Sequence, residues 1–246
     1  MMLRTLCTTA TLIAIPLFVF GCDAKKPVAQ TQAPQPTPVA AAAVTAAPAK
    51  VGASAASAKS AAAPVAKLGE AAPQFTLKDL DGKDVALSGF KGKVVVLEWF
   101  NPNCPFVNAA HTQGPLVNAA ARHMNEGVVW LSINSSGPGK EGNGVDKSRD
   151  GAARFNMPNP ILIDEDGKVG HAFGAERTPH MFIVNKEGIL VYHGPADNSP
   201  DGEGRSPIGG KLVNYVDAAL ADLAAGHPVA IPEAPVYGCH VHYSDS

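Results

Sequence analysis

The chain has 246 residues, is 46% apolar and 17% charged, and carries a formal charge of −2. The charge is split: residues 23–66 hold four Lys against Asp23, while residues 67–246 hold 15 Lys and Arg against 21 Asp and Glu. An acidic folded part without a basic stripe argues against nucleic acid as a partner.

Residues 1–21 have a positive start at Arg4 and an apolar stretch from Thr11 to Phe20. That is short for a membrane span and right for the core of a signal peptide. It closes on Val19-Phe20-Gly21-Cys22, which resembles a bacterial lipoprotein signal. The resemblance implies cleavage before Cys22 and acylation of that residue. Acyl chains at ~0.8 kcal/mol per buried CH₂ would anchor the protein to a membrane of the cell envelope. Ordinary cleavage nearby, after Ala24, would instead release a soluble exported protein. Residues 22–66 read as a tether: positions 23–66 hold 18 Ala and 6 Pro with no aromatic. The prolines break any long helix, so a disordered spacer is expected.

Residues 67–246 contain 13 of the 15 aromatics and form the expected folded domain. Gln74–Leu77 and Asp84–Leu87 flank an Asp81-Gly82 turn, predicting an N-terminal β-hairpin. Lys93–Phe100 is nearly all apolar, as in a central strand buried on both faces. It ends at Asn101-Pro102-Asn103. Cys104-Pro105 then opens a helix predicted over 105–125, with a break at Gly114-Pro115.

Further strands are predicted at Gly127–Asn134 and Pro160–Ile163, with helices at Lys147–Phe155 and Lys168–Gly174. His180–Val184 and Ile189–Tyr192 predict a hairpin. Leu212, Val216, Ala219, Leu220 and Leu223 give Lys211–Ala225 a helical period, closed by Gly226 and Pro228. This order predicts an α/β protein with a central mixed sheet, helices on both faces and a C-terminal tail.

A strand, a turn, a Cys and then a helix put a thiol at a helix N-terminus. Free N–H groups and the helix dipole there favour the thiolate. Cys104 is therefore the candidate nucleophile; the competing reading is a small buried apolar residue. Glu98 lies in the apolar strand, where burial would raise its pKa and suit it to shuttle protons. His111 stands two helical turns past Cys104, so packing is expected of it rather than base catalysis. Trp99 and Trp130 are read as core. Asp164–Gly167 lacks a twelve-residue calcium-loop pattern and is read as a turn.

The stretches GEAAPQFTLKDLDGK, KVVVLEWFNPNCPF, GVVWLSINSS, DEDGKVGHAFGAERTPHMFIVNKEG and YGCHVHY together resemble the thioredoxin-like redoxins, the branch of alkyl hydroperoxide reductases and thiol-specific antioxidants. The resemblance implies a thioredoxin-like fold over 67–246. It places Cys104 at the nucleophilic cysteine, Glu98 at the buried acid and Thr178-Pro179 at the cis-proline loop facing the thiol. Val107 stands where a second cysteine of a C-x-x-C would be. Cys239 is then the candidate resolving thiol, the alternative being a free thiol remote from Cys104.

The implied activity is that of a thiol-dependent oxidoreductase without a cofactor or metal. Its partners would be an external dithiol donor and a disulfide, sulfenate or hydroperoxide substrate. The alternative is a non-enzymatic, tethered module that binds a metal or a partner protein through the Cys239–His242 tail.

Overall fold

The computed structural model describes residues 65–246. The leader, Cys22 and nearly all of the tether therefore lie outside the described residues. No helix among the described residues is long and apolar enough to cross a membrane.

Among the described residues the main sheet has seven strands, β1 (Thr76–Asp79), β2 (Asp84–Ala86), β3 (Val95–Trp99), β4 (Val129–Asn134), β5 (Ile161–Ile163), β7 (His180–Val184) and β8 (Leu190–Gly194), in the order β2-β1-β5-β4-β3-β7-β8. Two of them, β3 and β4, run parallel at its centre. Strand β5 continues the parallel set beside β4. The expected hairpin is β1 with β2, and it joins the sheet antiparallel to β5. On the other side, β7 and β8 run antiparallel to their neighbours. The sheet is mixed, as expected.

Side-chain alternation along β3 divides the core. Leu97 and Trp99 face a cluster with Phe75, Val169, Phe173 and Phe182, under helix α4 (Lys168–Phe173). Val96 faces the opposite cluster with Ala119, Trp130, Val216 and Leu220. That side is covered by α2 (Ala119–Asn125) and α5 (Tyr215–Ala224). Both faces are thus covered. All five residues of β3 are buried, which explains an apolar run broken only by Glu98.

The predicted 105–125 helix is two helices, α1 (Pro105–Thr112) and α2, separated around the expected Gly114-Pro115 break. Between them, Asn118 takes a left-handed conformation just before α2. The predicted helix at 147 begins two residues earlier, as α3 (Val145–Arg154). The predicted helix at 211 begins four residues later. Asn214 caps α5 by accepting a hydrogen bond from the Asp217 N–H, so Leu212 stays outside the helix and exposed. The apolar period overran the helix because a cap, rather than periodicity, sets where a helix starts.

Two short strands were not predicted. They are β6 (Arg177–Thr178) and β9 (Cys239–His240), which pair antiparallel as a separate two-stranded sheet. Two residues carry no readable period, and only the tertiary contact creates them.

Candidate active site

Cys104 is the N-cap of α1, with Pro105 as the first helical residue. The approach is fixed by Asn101. Its carbonyl accepts from the Cys104 N–H at 3.1 Å, and its Oδ1 accepts from the Asn103 N–H at 2.8 Å. The Asn101 Nδ2 in turn donates to Ser136 Oγ and the Glu141 carbonyl. The Asn-Pro-Asn turn is therefore clamped from its far side. Beneath it, Cys104 packs with Phe100, Val107, Phe155 and Ile161. Val107, at the place of a second cysteine, is fully buried core.

Cys104 is disulfide-bonded to Cys239, 135 residues away, with the Cα atoms 6.1 Å apart. The bond exists because β9 places Cys239 opposite Thr178. The Thr178-Pro179 peptide bond is cis. The Thr178 carbonyl oxygen lies 3.2 Å from Cys104 Sγ. Since a disulfide sulfur carries no proton, that is a polar contact in this state and a potential S–H···O bond in the reduced one. Cys104, Thr178, Pro179 and Cys239 thus meet at one point, and Cys239, which the sequence left either as a partner or as a remote thiol, lies beside Cys104. Cys104 is only 4% exposed, and the tail accounts for part of that cover.

The tail is pinned on both sides of Cys239. Gly238 has φ +119, and a Cβ there would run into the Thr178 carbonyl, so the close strand pairing requires glycine. Upstream, the Tyr237 hydroxyl donates to Asp197 Oδ1 at 2.7 Å, and its ring lies against Phe106 of α1. Downstream, the Val241 N–H donates to the Glu176 carbonyl, and the Tyr243 hydroxyl donates to the Ala175 carbonyl. Nothing in the sequence singled out Tyr237. An aromatic two residues before a tail cysteine was the available signal.

Glu98 is fully buried. Its Oε1 is 2.6 Å from His111 Nε2. Its Oε2 accepts from Trp130 Nε1 and Ser132 Oγ, each at 3.1 Å. Burial alone would push the carboxyl up, as the sequence reading expects. The His111 charge and the hydrogen bonds from His111, Trp130 and Ser132 outweigh it and hold Glu98 below its ordinary value. The expectation of a raised pKa is therefore corrected: the sequence showed the apolar strand but not the three donors that meet the carboxylate. His111 is packed, as expected, stacked on Phe155 at 5.2 Å. Its partnership with Glu98 is not legible in the sequence, because the two residues lie on different elements 13 positions apart. Trp99 and Trp130 are core, as expected.

Asp164 does more than turn the chain. It accepts from Ser135 Oγ at 2.6 Å and from the N–H groups of Val169 and Gly170, while Ser135 accepts from Trp99 Nε1. This buried chain ties α4 to the end of β4 below the site.

His180, next to Pro179, is buried against Phe182 and His193. Burial, with the nearby His193, pushes it down to about 3, so it is neutral at ordinary pH. His180 shares with His171, His193, His240 and His242 the wall of a cavity of about 940 Å³ beneath the tail. Among the described residues, no three His, Cys, Asp or Glu side chains gather closely enough to hold a metal ion. The sulfur of Cys239, which a metal-binding tail would use as thiolate, is committed to the disulfide.

A mixed sheet covered on both faces, with a cysteine capping a helix against a cis-proline loop, defines a thioredoxin-like protein. In keeping with this, a structure of an uncharacterised conserved protein from Geobacillus kaustophilus matches with a TM-score of 0.62 at 30% identity, covering 73% of this chain and 94% of that one. A protein of Sinorhizobium meliloti 1021 matches with the same TM-score at 25% identity, covering 73% and 96%.

The family model described as Redoxin matches residues 67–208, and the chain belongs to that family. Its similar relatives include the thiol-disulfide oxidoreductase ResA of Geobacillus thermodenitrificans, 30% identical over 49% of this chain and 65% of the relative. The chloroplastic peroxiredoxin Q of Triticum aestivum is 31% identical over 50% of this chain and 57% of its own length. The chain thus spans less than two thirds of either relative. Helix α5 and the tail bearing Cys239 lie beyond the stretch that the family model matches.

Proposed function

We propose that this protein is a thiol–disulfide oxidoreductase with Cys104 as nucleophile and Cys239 as resolving thiol. The observation that carries the reading is the disulfide joining the cap of α1 to the strand laid on the cis-proline loop. Relatives named as a thiol-disulfide oxidoreductase and a peroxiredoxin support the same chemistry.

In the reduced protein, the Cys104 thiolate attacks one sulfur of a substrate disulfide, forming a mixed disulfide and expelling a thiolate. The Cys239 thiolate then attacks Cys104 Sγ, closes the internal disulfide and releases the second substrate thiolate. Two electrons pass to the substrate, and an external dithiol restores both cysteines. A hydroperoxide would enter the same cycle: it leaves as an alcohol, Cys104 becomes a sulfenic acid, and Cys239 closes the disulfide with loss of water.

The N–H groups at the start of α1 favour the Cys104 thiolate. Glu98 and His111 sit deeper, and among the described residues no hydrogen bond joins either to Cys104. They hold β3 and α1 in register, a positioning role. An oxidising compartment suits this cycle. We place the protein in a bacterial cell envelope, held to the membrane through lipid on Cys22 and facing the periplasm or exterior.

The test incubates the reduced full chain with a small disulfide or with peroxide and maps the modified thiols by peptide mass. The expected product is the Cys104–Cys239 disulfide. Modification of Cys239 with Cys104 left untouched would reject the proposal.

A further inference from the structure

The loop after β8 reads Asp197-Asn-Ser-Pro-Asp201-Gly202-Glu-Gly. Oxygen-bearing side chains at alternate positions, then glycine at the sixth, are the opening of a calcium-binding loop. Gly202 has φ +75, the left-handed conformation that the sixth position of such a loop needs for its sharp turn.

Asp197 supplies an independent observation. It is fully buried, yet only one of its oxygens is satisfied. Oδ1 accepts from the Ser199 N–H at 2.9 Å and from Tyr237. Oδ2 has no partner and lies within the loop, where a Cβ on Gly204 would come 3.8 Å from it. A buried carboxylate oxygen without a donor is costly unless a cation or water meets it.

Asp201 presents the second carboxylate. Its Oδ1 accepts from Ser199 Oγ and from the N–H groups of Glu203 and Gly204, and its Oδ2 accepts from the Arg205 N–H. The Arg205 guanidinium is engaged with Glu203 and Gln113 on the exposed side.

We propose that residues 197–204 bind a Ca²⁺ ion through the Asp197 and Asp201 carboxylates, with Ser199 Oγ, a loop carbonyl and water completing the shell. Two carboxylates are too few to hold an ion unaided, but a hard cation takes six to eight oxygens, including hydroxyls, carbonyls and waters. Position twelve of the loop is Ile208 where a strong site has a bidentate Glu. The affinity therefore belongs to the weak class of roughly 10⁻⁴–10⁻³ M seen in extracellular modules.

The loop touches both cysteine-bearing elements. Gly202 lies against Phe106 and Ala109 of α1, and a Cβ on Gly114 would collide with the Gly202 carbonyl. Asp197 holds Tyr237, two residues before Cys239. An ion in the loop would steady the cap of α1 and the docked tail together. This consequence rests on the proposed dithiol role; the binding itself does not.

The test titrates CaCl₂ into the chelator-treated, oxidised full chain by calorimetry, with MgCl₂ as control and thermal melts in parallel. The expected result is saturable binding of one Ca²⁺, a melting temperature that rises with Ca²⁺, and weaker binding of Mg²⁺. Asp201→Asn, at a half-exposed position, should fold normally and weaken Ca²⁺ binding by roughly tenfold or more, since ligand charge sets affinity. Asp197→Asn should abolish it, with near-ultraviolet circular dichroism reporting whether that variant is folded. Absence of binding up to ~10 mM, ten times the weak limit of that class, or binding unchanged in a folded Asp201→Asn, would overturn the proposal. Loss of redox activity in Cys104→Ser, with Ca²⁺ binding retained, separates the two proposals.

Discussion

The two sulfurs of the disulfide sit on very different supports. Cys104 stands at the end of a strand buried along its whole length, with neighbours on both sides in a seven-stranded sheet. Cys239 stands on a two-residue strand paired with another two-residue strand, held by Gly238, Tyr237 and a few tail hydrogen bonds. One thiol is fixed by the core and the other by a short ribbon with few partners. That asymmetry suits a cycle in which one cysteine must hold its place while its partner swings away to admit a substrate and then returns.

Removing each sulfur in turn separates the two supports most strongly. Cys104→Ser should reduce turnover with a disulfide substrate to background. Cys239→Ser should still attack once and then stall as a mixed disulfide on Cys104, visible as an intact-mass adduct. Equal residual turnover in both variants would erase the distinction.

Reduction comes next in size. The bond closes a loop across 135 positions, and chain-entropy arguments give about 4.7 kcal/mol for a loop of ~100 residues. Denaturant unfolding with and without reductant should differ by roughly 4–5 kcal/mol. Hydrogen exchange on reduction should rise around Tyr237–Tyr243 and stay slow in β3. Loosening of β3 to the same degree would show that the two cysteines share one support.

Glu98→Gln tests the rigid side. Breaking one half of a buried, hydrogen-bonded pair costs about 3–5 kcal/mol. The pH dependence has a definite sign. The folded pKa of Glu98 is lowered, so its contribution is present above the ordinary value of 4.5 and lost as pH falls through the folded value. Unfolding midpoints between pH 7 and pH 3 should therefore drop more in the wild type than in Glu98→Gln. Parallel curves would show that Glu98 does not ionise as described.

Gly238→Ala is the smallest change. It forces a Cβ toward the Thr178 carbonyl in a left-handed conformation, strain of order 1–3 kcal/mol. It should loosen the tail and raise the reduction potential of the disulfide while leaving the stability of the reduced protein unaltered. A potential equal to that of the wild type would mean that the ribbon contributes nothing to docking.

The same asymmetry governs what the sequence reveals. The Cys104 side is local: an apolar run, an Asn-Pro-Asn turn and a Cys-Pro helix start lie within a dozen residues, and each has its own signature. The tail side is not. Strands β6 and β9 exist only through each other, and the spacing between Cys104 and Cys239 carries no distance. The role of Tyr237 depends on Asp197, 40 residues away in sequence. Glu98 shows an intermediate case, since its burial was legible in the strand but its partners arrive from α1 and β4. The end of α5 was legible at Gly226, whereas its start depended on the Asn214 cap.

In the proposed cycle Cys104 and Cys239 form one two-electron couple. It is tested most directly by equilibrating the full chain across a series of dithiol redox buffers, trapping the free thiols and quantifying each cysteine by peptide mass. Cys104 and Cys239 should become accessible together, in a single transition with a two-electron slope. Transitions at separate potentials, or an alkylated Cys104 while Cys239 stays oxidised, would contradict it.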